Sequence, residues 1–332
     1  MPSQETPFLR TPADRFKNLP DWKYEPHYLH YGNLRMAYID EKVGSSHGEQ
    51  QTFLCLHGQP TWSYLYRRMI PVLLHYTTNG KLPSRRVVCP DLFGFGQSDK
   101  PTEEGTYTFD FHRHSLLHLI RQLDLQNVTL VVQDWGGLIG LTLPLAEPTR
   151  FKRLIVMNTT LGLGQQASAG FLAWRDFSNR SPDMKIGALM GRSCKHLSNA
   201  EKDAYDAPYP DMRYKAGVRR FPNMVMVDPA MPGVEISKES LAFYQTIDQF
   251  RTEDVLVACG TQDPVFSQKH MMALAKTYWK NGCYYTEIVE AGHFVQEWGD
   301  QVAKRALDVF EKADAAAPIN GVQKISPDLA RL

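Results

Sequence analysis

Three side chains follow one another along the chain in an order that suits nucleophilic chemistry. Asp134 stands where the apolar run TLVVQ passes into DWGGLIGL, which puts a carboxylate at the end of an expected strand just as an apolar helix begins. The glycines two and three residues later allow a sharp turn, so the segment reads as a strand, nucleophile, helix junction. Asp263 follows the run DVLVAC in CGTQDPVF, and His293 follows TEIV in AGHFVQE. A nucleophile, an acid and a histidine are the parts of covalent catalysis in which the histidine is the base and the acid orients it. Each residue also has an ordinary reading: Asp134 as a helix cap, Asp263 before Pro264 as a turn residue, His293 as a loop histidine. Three of them in this order, each at a strand end, favour the chemical reading.

The elements that must position these groups are visible as short apolar runs alternating with helical patterns. Strands are expected at 35–39, 52–56, 86–90, 129–133, 153–157, 254–259 and 286–289. Continuous apolar character in the middle runs implies burial on both faces, as in a mostly parallel sheet built from βα units. A crossover helix is expected at 109–123, with Leu116, Leu117, Ile120 and Leu123 on one face. From 161 to 233 no convincing strand occurs, and helical pieces rich in Met, Trp and Arg are broken by Ser-Pro, Ala-Pro, Tyr-Pro and Met-Pro. The expected architecture is α/β: a core of residues 1–160 and 234–332, an inserted helical cap at 161–233, a polar turn at 45–51 and a loosely ordered tail at 313–332. Strand-end loops converge on one edge of such a sheet, where ligands bind.

The order nucleophile, acid, histidine is that of the α/β-hydrolase fold, in which the nucleophile sits on a strained elbow. That fold takes one oxyanion donor from the residue after the nucleophile and one from an earlier loop. These would be the backbone N–H groups of Trp135 and of Gln59 in LHGQPTWSYLYR. His57 is expected to order that loop.

Composition narrows the partners. Lys plus Arg number 37 against 36 Asp plus Glu, a formal charge of +1, which gives no global field to draw nucleic acid or an anionic membrane. No stretch approaches the roughly 18 apolar residues of a membrane span, and MPSQETPFLRTPADRF lacks an apolar leader core, so a cytoplasmic, probe-sized-substrate enzyme acting as a monomer is expected. The five cysteines (Cys55, Cys89, Cys194, Cys259, Cys283) are widely spaced and read as reduced core thiols. GFG in DLFGFGQSD lacks the third glycine of a dinucleotide fingerprint. His114 and His118 lack the glutamate and further ligands of a zinc helix. No cofactor and no metal are expected.

The segments HGQPTWSYLYR, DLFGFGQSDKP, VVQDWGGLIGLTLP, GFLAWRDF, AYDAPYPDMRYKAGVRRFP and AGHFVQEWG resemble, in order and over nearly the whole chain, those of haloalkane dehalogenases. The likeness is strongest to the subfamily whose second halide-binding tryptophan lies in the cap. It implies that Asp134 displaces halide from a haloalkane to form an alkyl ester, which water activated by His293, with Asp263 behind it, then hydrolyses to an alcohol. It also implies halide binding by the indoles of Trp135 and Trp174, and a pocket wall of Leu138, Phe171, Phe221, Pro222, Val225, Val265 and Phe266. A cap tryptophan is more commonly a packed aromatic, but the flanks of Trp174 favour the halide role; the wall residues could equally be plain packing. The elbow departs from the generic pattern in having Val132 two residues before Asp134, and Gln59 stands where some relatives have an acid.

An epoxide hydrolase would use the same three residues together with cap tyrosines, for which Tyr205, Tyr209 and Tyr214 are candidates. It would have no use for two indole donors. A non-catalytic ligand receptor on the same fold would not require Asp134, Asp263 and His293 together.

Overall fold

A computed structural model describes residues 5–44, 50–77, 80, 84–312 and 319–328. Its strands are β1 (Phe8–Leu9), β2 (His27–Tyr31), β3 (Leu34–Val43), β4 (Gln51–Leu56), β5 (Arg85–Pro90), β6 (Lys100–Pro101), β7 (Val128–Gln133), β8 (Phe151–Met157), β9 (Val255–Gly260), β10 (Cys283–Ile288) and β11 (Val322–Ile325). β1 and β6 form a small antiparallel ribbon. The other nine make one sheet in the order β11-β10-β9-β8-β7-β4-β5-β3-β2. From β10 to β5 all pairings are parallel, whereas β3, β2 and β11 join antiparallel at the two ends.

Alternation along the strands explains the two cores. Leu54, Leu56, Leu130, Val132, Leu154 and Val156 pack on one face, and Phe53, Cys55, Val131 and Ile155 on the other. Every residue of β7 and β9 is buried, as apolar runs covered on both sides must be. Each fully buried Leu, Ile or Val contributes about 1.5–3 kcal/mol relative to exposure, and all five cysteines are buried free thiols among them. The helix Phe109–Gln122 begins at Thr108, whose side chain accepts the Phe111 N–H at 3.1 Å, and it buries Leu116, Leu117 and Ile120 on the sheet.

All seven expected strands occur, with ends shifted by a few residues. β2 was not expected: HYLHY lies at an exposed edge and carries no apolar alternation to reveal it. β11 corrects part of the expected tail, since residues 322–325 pair with β10 and close that edge of the sheet. Of the expected polar turn, residues 45–49 lie outside the described residues, as do 313–318 and 329–332 of the tail. No helix among the described residues is long and apolar enough to cross a membrane.

Between β8 and β9 there is no strand. The helices Ala169–Arg180, Ile186–Ser193, Asn199–Asp206 and Ala216–Arg220 lie there, followed by Val234–Thr246. A buried charge network ties this segment to the sheet domain. Arg67 grips Glu297 with two hydrogen bonds (2.7 and 2.8 Å) and also donates to Glu201 (2.8 Å). Arg68 bonds the same two acids (2.7 and 3.1 Å), and the Tyr205 hydroxyl donates to Glu297. Glu201 additionally closes a capping box with Ser198 at the start of its helix. Removing one member of such a network strands a buried charge, so Glu297→Ala should lower the unfolding free energy by about 3–5 kcal/mol in urea titrations. A loss below about 1 kcal/mol would show that the network is solvated and does not fasten the helical segment.

Candidate active site

The turn at Asp134 is a forced one. Its backbone has φ 50° and ψ −127°, outside the regions an L-residue favours, and its side chain makes no capping bond to the helix Trp135–Gly140. The capping reading therefore does not hold. Surrounding atoms pin the bend: the Asp134 N–H donates to Asn158 O (3.2 Å), Thr159 Oγ1 donates to Asp134 O (2.7 Å), and the N–H groups of Gly137 and Leu138 converge on that same oxygen. Gly136 is obligatory, because a Cβ there would lie 2.0 Å from the Leu56 carbonyl oxygen. Gly58 is equally so, because its Cβ would meet Asp134 Oδ1 at 2.2 Å.

The Asp134 carboxylate is held from both sides. Oδ1 accepts the Gln59 N–H at 2.8 Å, and Oδ2 lies 3.3 Å from His293 Nε2. His293 Nδ1 faces Asp263 Oδ2 at 2.8 Å, which leaves Nε2 directed at Asp134. Asp263 is buried, and its other oxygen accepts the Val265 N–H at 2.7 Å. Asn158 completes the set: its side-chain amide donates to Asp263 Oδ2 (2.9 Å) and to Gly260 O (3.1 Å), while its own oxygen accepts the Gly260 N–H (2.7 Å). Nothing in the sequence reading marked Asn158. Its signal was position, directly after β8 and level with the ends of β7 and β9. Gln133 ties the two halves of the site by donating to His293 O at 3.0 Å.

The electrostatics follow from this sandwich. Burial alone would push the His293 pKa down, but the Asp263 carboxylate and the bond and charge of Asp134 raise it to about 10. Burial works against ionised Asp263 as well, yet the His293 charge and the hydrogen bonds from His293, Val265 and Asn158 keep its pKa below the usual value. The two flanking acids thus favour the protonated form of His293 in the resting site.

A cavity of about 990 Å³ opens over this group. Gln59, Trp135 and Trp174 line it, as do Leu138, Phe171, Pro222, Val225, Val265 and Phe266 of the expected wall. Phe266 also stacks on the His293 ring at 5.9 Å. Phe221 is a correction: it does not line the cavity but is fully buried behind it, edge-on to Trp135 at 4.9 Å and to His112 at 4.8 Å. It supports the indole and forms no part of the wall. His57 orders its loop as expected, with Nδ1 on Gly58 O and Nε2 accepting the Leu92 N–H, both at 2.9 Å. The three cap tyrosines are all away from the cavity: Tyr205 is bonded to Glu297, Tyr209 donates to Pro60 O (3.3 Å), and Tyr214 packs against the core. None of these three tyrosines is placed to protonate an opening epoxide in the cavity. Among the described residues no cluster of His, Cys, Asp or Glu is arranged to hold a metal.

The raised His293 pKa has a consequence for stability. A group whose pKa rises on folding stabilises the fold fully below its unfolded value, near 6.5, and that contribution disappears as pH climbs through the folded value of about 10. Asp134→Asn removes one of the two raising carboxylates. NMR titration of the imidazole should show a lower His293 pKa in the variant, and pH-dependent unfolding a shallower loss of stability across that window. An unchanged pKa would mean that Asp134 and His293 are not in contact.

Comparison with known proteins agrees with this geometry. The family model for the alpha/beta hydrolase fold matches residues 51–300. A haloalkane dehalogenase of Psychrobacter cryohalolentis is 39% identical over 304 residues, 89% of this chain and 95% of that one. One from Mycolicibacterium paratuberculosis is 36% identical over 307 residues, covering 90% and 97%. Among solved structures, the tetrameric haloalkane dehalogenase DpaA of Paraglaciecola agarilytica NO2 superimposes with a TM-score of 0.84 at 45% identity, over 92% of this chain and 99% of that one. With relatives of this identity along nearly its full length, and a carboxylate elbow beneath an apolar cavity, the chain belongs to the haloalkane dehalogenases, α/β-fold hydrolases that act on carbon–halide bonds.

Proposed function

We propose that Asp134 is the nucleophile of this hydrolytic dehalogenation and that His293, oriented by Asp263, is its base. The supporting observation is the position of the Asp134 carboxylate, which does not cap its helix but stands between the Gln59 N–H and His293 Nε2. Oδ2 attacks the halogen-bearing carbon from behind, the carbon–halogen bond breaks, and the halide leaves with the bonding pair. A halide accepts hydrogen bonds but takes no proton at this pH, so the indole N–H groups of Trp135 and Trp174 receive it. This reading places the chain in the subfamily with the second halide tryptophan in the cap.

Esterification removes the negative charge of Asp134, and with it one of the influences that keep His293 protonated. His293 gives its Nε2 proton to solvent, and the neutral imidazole then accepts a proton from water at Nε2 while the hydroxide adds to the ester carbon. The oxyanion forms on Oδ1, already in contact with the Gln59 N–H, with the Trp135 N–H as second donor. On collapse the leaving oxygen takes the proton back from His293 and departs as the alcohol, and the carboxylic acid left on Asp134 passes its proton to His293, which restores the resting pair; the one proton released overall is the one His293 gave up before hydrolysis.

In this reading residues 161–233 are the cap that closes the cavity over the core. The chain acts on its haloalkane without cofactor, in the cytoplasm. The sequence suits a monomer, but the DpaA relative is tetrameric. Light scattering after size exclusion separates a mass of 37.8 kDa from its fourfold multiple.

Purified protein should release bromide and alcohol in equal amounts from 1,2-dibromoethane and 1-bromobutane. Asp134→Ala should lose about 10⁴-fold or more of this rate, and Trp174→Phe about a hundredfold. Undiminished bromide release by Asp134→Ala would refute the assignment of the nucleophile.

A further inference from the structure

The cavity over Asp134 extends beyond its apolar chamber. Arg192, in the last turn of the helix Ile186–Ser193, and Lys195 and His196 just after it line the same cavity as Trp174 and His293. Apart from Asp134, the only acid lining it among the described residues is Glu290. Arg192 and Lys195 are both exposed, and neither has a carboxylate partner among those residues.

This turn is rigidly mounted. Cys194 and Leu197 point inward and are buried, the Cys194 N–H donates to Met190 O (2.7 Å), and the Leu197 N–H donates to Cys194 O (3.1 Å). The next helix is anchored through Glu201 to Arg67 and Arg68, and the His196 ring rests edge-on against Trp298 at 4.6 Å. The Arg192 guanidinium lies over the Phe177 ring (5.2 Å), and that ring lies 5.9 Å from the ring of Trp174. The cation is therefore two ring contacts from the indole that receives the halide.

A neutral haloalkane gains nothing from unpaired cations at the cavity mouth. A substrate with an anionic far end gains a partner there, and a guanidinium over an aromatic ring still has N–H groups to offer a planar carboxylate. We propose that the turn carrying Arg192 and Lys195 is an anion subsite, and that this enzyme takes halogenated alkyl chains bearing a carboxylate at the end remote from the halogen. The inference rests on the dehalogenase mechanism above. With the Asp134 side chain in the chamber and two cations elsewhere on the cavity lining, a carboxylate is drawn to the cations and the halogen is directed toward Asp134. An extended chain advances roughly 3.5 Å for every three bonds, so a six-carbon halo acid holds its two ends roughly 7–8 Å apart.

The test compares kcat/KM for bromide release from 6-bromohexanoate and from 1-bromohexane, in the wild type and in an Arg192→Gln, Lys195→Gln double variant. The ratio of the first to the second should fall by about tenfold or more in the variant, mainly through a higher KM for the acid. The cationic 6-bromohexylamine should move the opposite way. An unchanged ratio overturns the proposal, as does a parallel fall for both substrates, which would assign the cations to halide exit or to the fold. Turnover of 1-bromohexane without turnover of 6-bromohexanoate by the wild type also overturns it, while leaving the dehalogenase mechanism standing. Silence with both bromides would instead refute that mechanism, and the subsite with it.

Discussion

An L-residue held at φ 50° and ψ −127° costs on the order of 1–3 kcal/mol, and the chain sustains that cost at Asp134. Much of the surrounding structure is arranged to sustain it. Gly136 allows the helix to approach Leu56, Gly58 leaves space for the carboxylate, and Thr159 and Asn158 tie the backbone down on the side of β8. Relaxing to an ordinary helix start would turn the carboxylate back onto its own helix as a cap, away from both the Gln59 N–H and His293. The parallel sheet matters to function because it brings the ends of β4, β7, β8, β9 and β10 to one edge, so that residues far apart in sequence meet at this bend.

Charge balance is the second constraint. Asp134, His293 and Asp263 share a small volume, and the histidine between the two acids makes their proximity tolerable. In the proposed mechanism, conversion of Asp134 to a neutral ester unbalances the set in the direction that frees the imidazole to act as a base. Four residues beyond His293, Glu297 enters the separate network of Arg67, Arg68, Glu201 and Tyr205. The segment that carries the base is thereby also the segment on which the helical insertion is fastened.

Much of this was legible in the sequence, for identifiable reasons. Buried parallel strands must be apolar on both faces, so β4, β5, β7, β8 and β9 announced themselves, and a nucleophile, an acid and a histidine at successive strand ends form a pattern that chance rarely supplies. Trp174 came from the resemblance of its flanking residues and not from any physical signal. Phe221 was misplaced because an aromatic that lines a cavity and one that buttresses the lining look alike in sequence. Asn158 and the Arg67, Glu201 and Glu297 network were invisible because their partners lie 105, 134 and 230 residues away. β2 and β11 escaped because edge strands need no continuous apolar run.

The central claim, that the strained carboxylate of Asp134 takes up the alkyl group, is tested most directly by mass spectrometry of His293→Phe mixed with 1-bromobutane. Without the base, the account predicts one bromide released per chain and a butyl group retained on the peptide that contains Asp134. An unmodified peptide, or continued turnover by the variant, would contradict it.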